Sequence, residues 1–587
     1  MKAPPSAQDL PKRGRRVIEP AAETLTRMIR AGRGHEPADL VIRDVRRLDI
    51  VTGDITETDI AIVADRIVGT HGRYEGKTSI DGRGRFAVPG FIDTHLHIES
   101  SLVTPLEFDR CVLRHGVTTV ICDPHEIANV TGAQGIAYFL ASAEEAIMDI
   151  RVNLSSCVPA TPFETSGARL EIDDLLPFRD HPKVIGLAEM MNFPGVLNGE
   201  PGIIAKLVAF QDGHMDGHAP LLSGQDLNGY LSAGIRTDHE ATTAAEAREK
   251  LGKGMAILIR EGSVSKDLDA LAEVLDQNTS SFMALCTDDR NPLDIGEEGH
   301  LDALIRRLIA RGRPLHHVYR AASHSAARIF GLKDRGHVAP GWRADIVLLD
   351  SLEACTVSDV VTAGRLVTDA LFDSRKAVAP VGLDSMKAHP VTPDVFVTEP
   401  NPGHNETPVI GVRPGKIITY RESAVLERGP SGLEPDLDAD VIKVAVLERH
   451  GKNGNIGRAF VKGFGLKKGA IASSVGHDSH NITVIGTNDA DMALAVNRVI
   501  AMQGGFAVAE AGRITADLAL PIAGLMSTVP FEQISANLHD LRSAAYDLGC
   551  VLPEPFLQVS FLALPVIPHL KMTDRGLFDV DAFDFVV

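Results

Sequence analysis

The residues best suited to chemistry lie in Pro89-Gly90-Phe91-Ile92-Asp93-Thr94-His95-Leu96-His97. Alternate side chains of a strand project from one face, so His95 and His97 are placed to share a metal ion. Neutral imidazole suits Zn, Fe, Mn or Co. A lone His-x-His pair equally describes two polar residues at a strand end, so the rest of the chain must decide. It offers Glu189 after Val184-Ile185-Gly186-Leu187-Ala188, His218 after Asp216-Gly217, His239 after Thr237-Asp238, and Asp288 after Met283-Ala284-Leu285-Cys286-Thr287. Four histidines and two carboxylates are enough for two ions bridged by Glu189. Two such ions ~3.5–4 Å apart hold a hydroxide between them at neutral pH, which is a nucleophile for hydrolysis. Asp288 is then placed to accept its proton and pass it to a leaving group.

These side chains converge only if strand ends bring them together. From about residue 87 short apolar runs alternate with helical patterns. The runs end near His97, Asp123, Cys157, Glu189, His218, His239, Glu261 and Asp288, and the helical patterns cover 107–115, 135–148, 202–211 and 244–253. That alternation predicts a parallel (β/α)8 barrel over 89–335, whose C-terminal strand ends share one mouth. Before it lies a lead, 1–36, with a short helix over 23–30. Short strands at 38–42, 47–51 and 59–63 follow. Together 37–88 and 336–390 predict a small β-sandwich built from both sides of the barrel. A Pro-, Thr- and Asn-rich linker at 390–408 opens an α+β block, 391–587, with strands at 409–412 and 470–473 and a helix over 489–503. The expected fold class is therefore α/β, a metal-dependent barrel with two flanking units.

Composition narrows the partners. The chain has 587 residues, is 44% hydrophobic and 23% charged, and carries a net charge of −19, which repels nucleic acid. No run approaches the ~18 apolar residues that cross a bilayer, and no apolar stretch near Met1 reads as a secretory signal. The six cysteines form no C-x-x-C pair, as expected of free thiols in a reducing compartment. The expectation is a cytoplasmic enzyme with a small-molecule substrate and no nucleic-acid or membrane partner. Zinc deaminases of the cytidine type need a P-C-x-x-C segment, and none is present, although His97-Ile98-Glu99 matches the first half of their signature.

The Pro-Gly-Phe-Ile-Asp-Thr-His-Leu-His segment, with Glu, His, His and Asp at later strand ends, resembles the amidohydrolase superfamily. Finer segments resemble its bacterial adenine deaminases: His97-Ile98-Glu99-Ser100-Ser101, Asp123-Pro124-His125-Glu126, Glu189-Met190-Met191-Asn192, Cys286-Thr287-Asp288-Asp289 and Gly476-His477-Asp478-Ser479-His480-Asn481. The likeness runs from about residue 38 to the C-terminus. It implies His95 and His97 on one metal, His218 and His239 on the other, Glu189 as bridge, and Asp288, or its neighbour Asp289, as strand-8 ligand and proton shuttle. Some relatives bridge with a modified lysine, but Lys183 lies at the wrong end of its strand. The resemblance further implies Mn(II) or Fe(II) rather than Zn(II), a homo-oligomer, and hydrolysis of adenine to hypoxanthine and ammonia in purine salvage. The acid that protonates the ring stays open among Glu99, Glu126, Glu240 and Glu261. Substrate contacts are expected from Glu99, His125, Arg260, His477, Asp478 and His480, the last group on a loop reaching over the mouth, from this subunit or another. The alternative is a related deaminase or cyclic amidohydrolase acting on a modified purine or similar heterocycle.

Overall fold

A computed structural model describes residues 22–400, 405–429 and 432–586. The basic residues at 2–16 of the lead fall outside that range, while its expected helix is present as Ala22–Gly32. Eight parallel strands follow the anticipated order: β1 (Phe91–Leu96), β2 (Val117–Cys122), β3 (Asp149–Leu154), β4 (Val184–Met190), β5 (His214–Gly217), β6 (Thr237–Asp238), β7 (Ala256–Arg260) and β8 (Met283–Cys286). Sequences such as Val-Thr-Thr-Val-Ile-Cys and Ala-Ile-Leu-Ile-Arg are buried at every position. That is the pattern of parallel strands covered on both faces.

The strands form a five-stranded and a three-stranded sheet. Both seams are stitched. At one, the Arg236 amide donates to Met215 O at 3.2 Å; at the other, the Asp288 amide donates to His95 O at 3.0 Å and the His97 amide to Asp288 O at 3.2 Å. The strands thus curl as a TIM-like barrel, and the second seam runs through three of the expected metal ligands. Two of the helices between the strands begin on side-chain caps. Thr104 accepts from the Glu107 amide with Pro105 in the first turn, and Thr243 accepts from the Glu246 amide.

Strands from before and after the barrel share one continuous eight-stranded sheet, in which Ile346–Leu349 lies antiparallel to Phe86–Pro89. The expected separate strands at 38–42 and 47–51 are instead one strand, Ala38–Leu48, with an irregularity where Asp44 takes φ 53°. Asp49 ends it, because its carboxylate accepts the Val51 and Thr52 amides and folds 49–53 into a turn.

The C-terminal part has a second eight-stranded mixed sheet. Its expected elements appear as Thr407–Gly411, Ala470–Ser473 and a helix Asp489–Ala501 capped by Asn488. The strand Thr407–Gly411 begins inside the expected linker, and Phe396, also from that segment, is buried in the core beneath the helix. Residues 474–481 connect Ala470–Ser473 to its antiparallel neighbour Ile482–Gly486, and this loop projects to the barrel mouth.

Candidate metal centre and substrate cavity

Glu189, at the end of β4, is the hub. Its Oε1 lies 3.6 Å from His95 Nε2 and 3.4 Å from His97 Nε2, and its Oε2 lies 3.3 Å from His239 Nε2 and 2.5 Å from His218 Nδ1. Asp288 Oδ1 lies 3.2 Å from His97 Nε2 and 3.7 Å from His95 Nε2. All six anticipated ligands are brought together, and all are buried. Of the two neighbouring aspartates, Asp288 faces the histidines. Asp289 instead accepts from the Ser100 hydroxyl and lies 3.9 Å from His477 Nε2. β8 stops at Cys286 and Asp288 takes φ 54°, so strand alternation no longer governs and both carboxylates reach the cavity.

The donor set fits divalent metal. His95 Nε2, which faces Glu189 and Asp288, is buried without a hydrogen-bond partner among the described residues, a costly state that metal ligation would relieve. Several ligand atoms stand at the spacing expected around an ion with bonds of roughly 2.1 Å. The outer contacts orient the rings as metal sites require. Asp216 Oδ2 holds His95 Nδ1 at 3.0 Å, and the Asp123 carbonyl holds His97 Nδ1 at 3.1 Å, so both rings present Nε2. Tyr230 accepts the His218 amide at 3.1 Å and donates to Met190 O at 2.8 Å, locking two strand ends together. Asp216, Asp123 and Tyr230 were not among the expected site residues. Asp216 was visible two residues before His218, but its target, His95, lies far away in the chain.

Charge is organised around Glu189. Burial opposes its ionisation, but His218 and His95 hold the carboxyl well below the usual range. Burial likewise opposes protonation of His97, as does His125, yet Asp288, Asp289 and Glu189 leave it well above its ordinary value. Asp288 is kept anionic against burial by His97 and Arg260, whereas burial pushes Asp289 up.

A narrow cavity opens on this cluster. Its lining combines the acid–histidine group Glu126, His125, His477 and Asp478 with an apolar group that includes Ile417, Phe561, Leu564 and Ile567. Glu126 is a second hub. His477 Nδ1 lies 2.6 Å from Oε1, His480 Nε2 contacts Oε2, and His125 Nε2 lies 3.4 Å from Oε1. Burial opposes ionisation of Glu126, but His477 and His480 draw its carboxyl well below normal. The same chain supplies His477, Asp478 and His480. Beneath their loop the buried Arg449 donates to His480 O and to Ala523 O at 2.8 Å.

Three expected contacts do not hold. Glu261 follows Arg260 on the strand and therefore points the other way, outward, to Arg307 and the Leu268 amide. Arg260 points inward, but its guanidinium is taken up by Glu240, Asp267 and Asp288, and it does not line the cavity. Glu99 is buried behind Glu126, accepting the Ile127 amide at 3.1 Å. Burial and then Glu126 push it up to about 8. Glu240 does line the cavity. The apolar wall was not anticipated, since Ile417, Phe561, Leu564 and Ile567 carry no chemical signature in sequence.

The barrel and its six converging ligands define a centre of the amidohydrolase type, which implies divalent metal. The amidohydrolase family model matches residues 86–367, and the adenine deaminase C-terminal domain matches 416–584. Adenine deaminase 1 of Rhizobium johnstonii is 65% identical over 96% of this chain and 98% of its own length. Adenine deaminase 1 of Rhizobium meliloti is 64% identical over 96% and 99%, and adenine deaminase of Gluconobacter oxydans is 63% identical over 96% and 100%. The chain belongs to the adenine deaminase family of amidohydrolases.

Proposed function

We propose that this protein hydrolyses adenine to hypoxanthine and ammonia, serving purine salvage. The observation that carries the reading is Glu189, with a histidine pair facing each oxygen, opening onto a cavity lined by both acid–histidine and apolar side chains. The barrel spans 89–335 in this reading, with the units 37–88 plus 336–390 and 391–587 packed beside it. His95, His97, His218, His239, Glu189 and Asp288 would hold two divalent ions, Mn(II) or Fe(II). Bound there, the pair supplies Lewis acidity and a water acidified to near neutral pH.

The chain's own residues do the rest. The apolar wall stacks the purine and excludes bulk water, which strengthens every charge interaction in the cavity. Asp288, held anionic and touching both His97 and Arg260, accepts a proton from the attacking water and returns it to the leaving nitrogen. Glu126 and His477 relay a proton to a ring nitrogen. Arg260 acts through others, fixing Glu240 and Asp288. Glu261 and Glu99 have no part in the chemistry. The cellular setting is the cytoplasm, and the working form a homo-oligomer.

The test is ammonia release from adenine by Mn(II)-loaded protein expressed with iron chelated, with adenosine, cytosine and guanine alongside. Turnover of adenine alone in that panel supports the reading. No turnover with two metals bound per chain overturns it in favour of a modified purine or cyclic amide.

A further inference from the structure

Lys571 is fully buried in the strand Leu570–Thr573. Among the ion pairs of the described residues it has no carboxylate partner. Its ammonium donates to two backbone carbonyls, Ile417 O at 2.8 Å and Phe561 O at 2.9 Å. Burial alone pushes it down to about 7. A lysine placed this way is expensive, and a methionine of similar length would avoid the cost.

What the two carbonyls have in common is the cavity. Ile417 and Phe561 lie far apart in sequence, and the side chains of both line the apolar wall. They sit in one small core with Leu564, Ile567 and Val264, the last from the loop after β7. Neither carbonyl belongs to a strand ladder, and buried carbonyls need donors. The surrounding ties run the same way. Gln558 donates to Lys416 O at 3.0 Å, and the Thr419 hydroxyl donates to Leu570 O at 2.7 Å. Phe561 also stacks on His477, with ring centroids 4.5 Å apart and planes inclined by 20°. The wall is thus in contact with the acid–histidine side.

We propose that Lys571 is a positioning residue that sets the apolar wall of the substrate cavity, clamping the backbones at Ile417 and Phe561 so that their side chains hold the shape of the cavity that receives the purine. The proposal rests on the adenine reading for its substrate, and its own content is the clamp. Ground-state and transition-state binding use the wall equally, so loss of the clamp weakens substrate binding more than it slows chemistry.

The experiment compares Lys571→Met, Lys571→Gln, Phe561→Leu and the Lys571→Met/Phe561→Leu double variant as full-length, Mn(II)-loaded enzymes. Lys571→Met should raise KM for adenine about ten-fold with kcat within about two-fold and metal content unchanged. Lys571→Gln, which keeps two N–H donors, should recover most of that loss and serves if the methionine variant does not fold. In the double variant the KM effects should fail to multiply, since both changes act through one wall. An unchanged KM, a fall of kcat together with metal content, or fully multiplicative effects would overturn the clamp. If wild-type protein does not deaminate adenine, the functional reading fails and the clamp is judged by amide exchange. Lys571→Met should speed exchange at 416–419 and 561–567 and leave β1 unchanged; no change in those segments overturns it.

Discussion

Glu189 and Glu126 are both fully buried carboxylates ringed by histidines, and both line the same cavity. They are held in different ways. Glu189 ends a barrel strand, and its four histidines come from β1, β5 and β6 or the residue just after each. Strand ends fix these side chains rigidly, and backbone or carboxylate contacts turn the rings so that nitrogens are left unsatisfied. Glu126 opens a short helix after β2, and two of its histidines arrive on a loop of the C-terminal sheet. In the proposed reading the first hub holds metal and the second exchanges protons with the substrate. The difference lies in where the partners originate: barrel strand ends for one hub, a loop of the C-terminal sheet for the other.

The largest expected effect tests the first hub. Glu189→Gln removes the charge shared by both histidine pairs and should lower kcat/KM roughly a thousand-fold or more, with metal content falling below two per chain. Near-normal turnover with both metals bound would dissolve the distinction. Glu126→Gln should leave metal content intact while lowering kcat by about 10²- to 10⁴-fold, the range of a lost general acid–base group. Metal loss in that variant would place both carboxylates in one metal site.

A smaller effect is expected at Asp216→Asn, which keeps every ligand but loosens the hold on His95. Metal affinity, measured by competition with a chelator, should fall about 10- to 100-fold. The loop hub should respond to pH. Burial opposes the His477 proton, but Glu126, Asp289 and Asp478 raise its value to about 9. Its contribution to stability is therefore complete below the ordinary histidine value of about 6.5 and is lost as pH rises through about 9. Amide exchange at 474–481 should accelerate over that interval, and His477→Asn should abolish the dependence. Smallest of all, Glu261→Gln should leave kcat/KM within about two-fold, because its side chain faces Arg307 on the outside of the barrel.

The strand order and the convergence of the six expected ligand residues were legible because short apolar runs, such as Val184–Ala188 and Met283–Cys286, alternate with helical patterns and end near titratable residues. Neighbours were not separable. Arg260 and Glu261 read alike in sequence, and which of them points inward depends on the register of β7. Asp288 and Asp289 read alike too, and a left-handed residue at the end of β8 settles which one meets the histidines. The long strand Ala38–Leu48 was read as two because Asp44 and the polar residues around it interrupt the apolar run, while the ladder continues through them.

By itself, then, the sequence determined the local quantities: apolar runs that must be strands, capped helices between them, and titratable residues at their ends whose types suit divalent metal and hydrolysis. Tertiary structure alone decided what depends on distant segments meeting. It set Asp216 against His95, brought the His477–His480 loop onto Glu126, and built an apolar wall from Ile417 and Phe561 joined by a buried lysine. The physical reason is range. Strand and helix patterns follow from neighbours a few residues apart, whereas a cavity wall has no sequence period and exists only once remote backbones pack together.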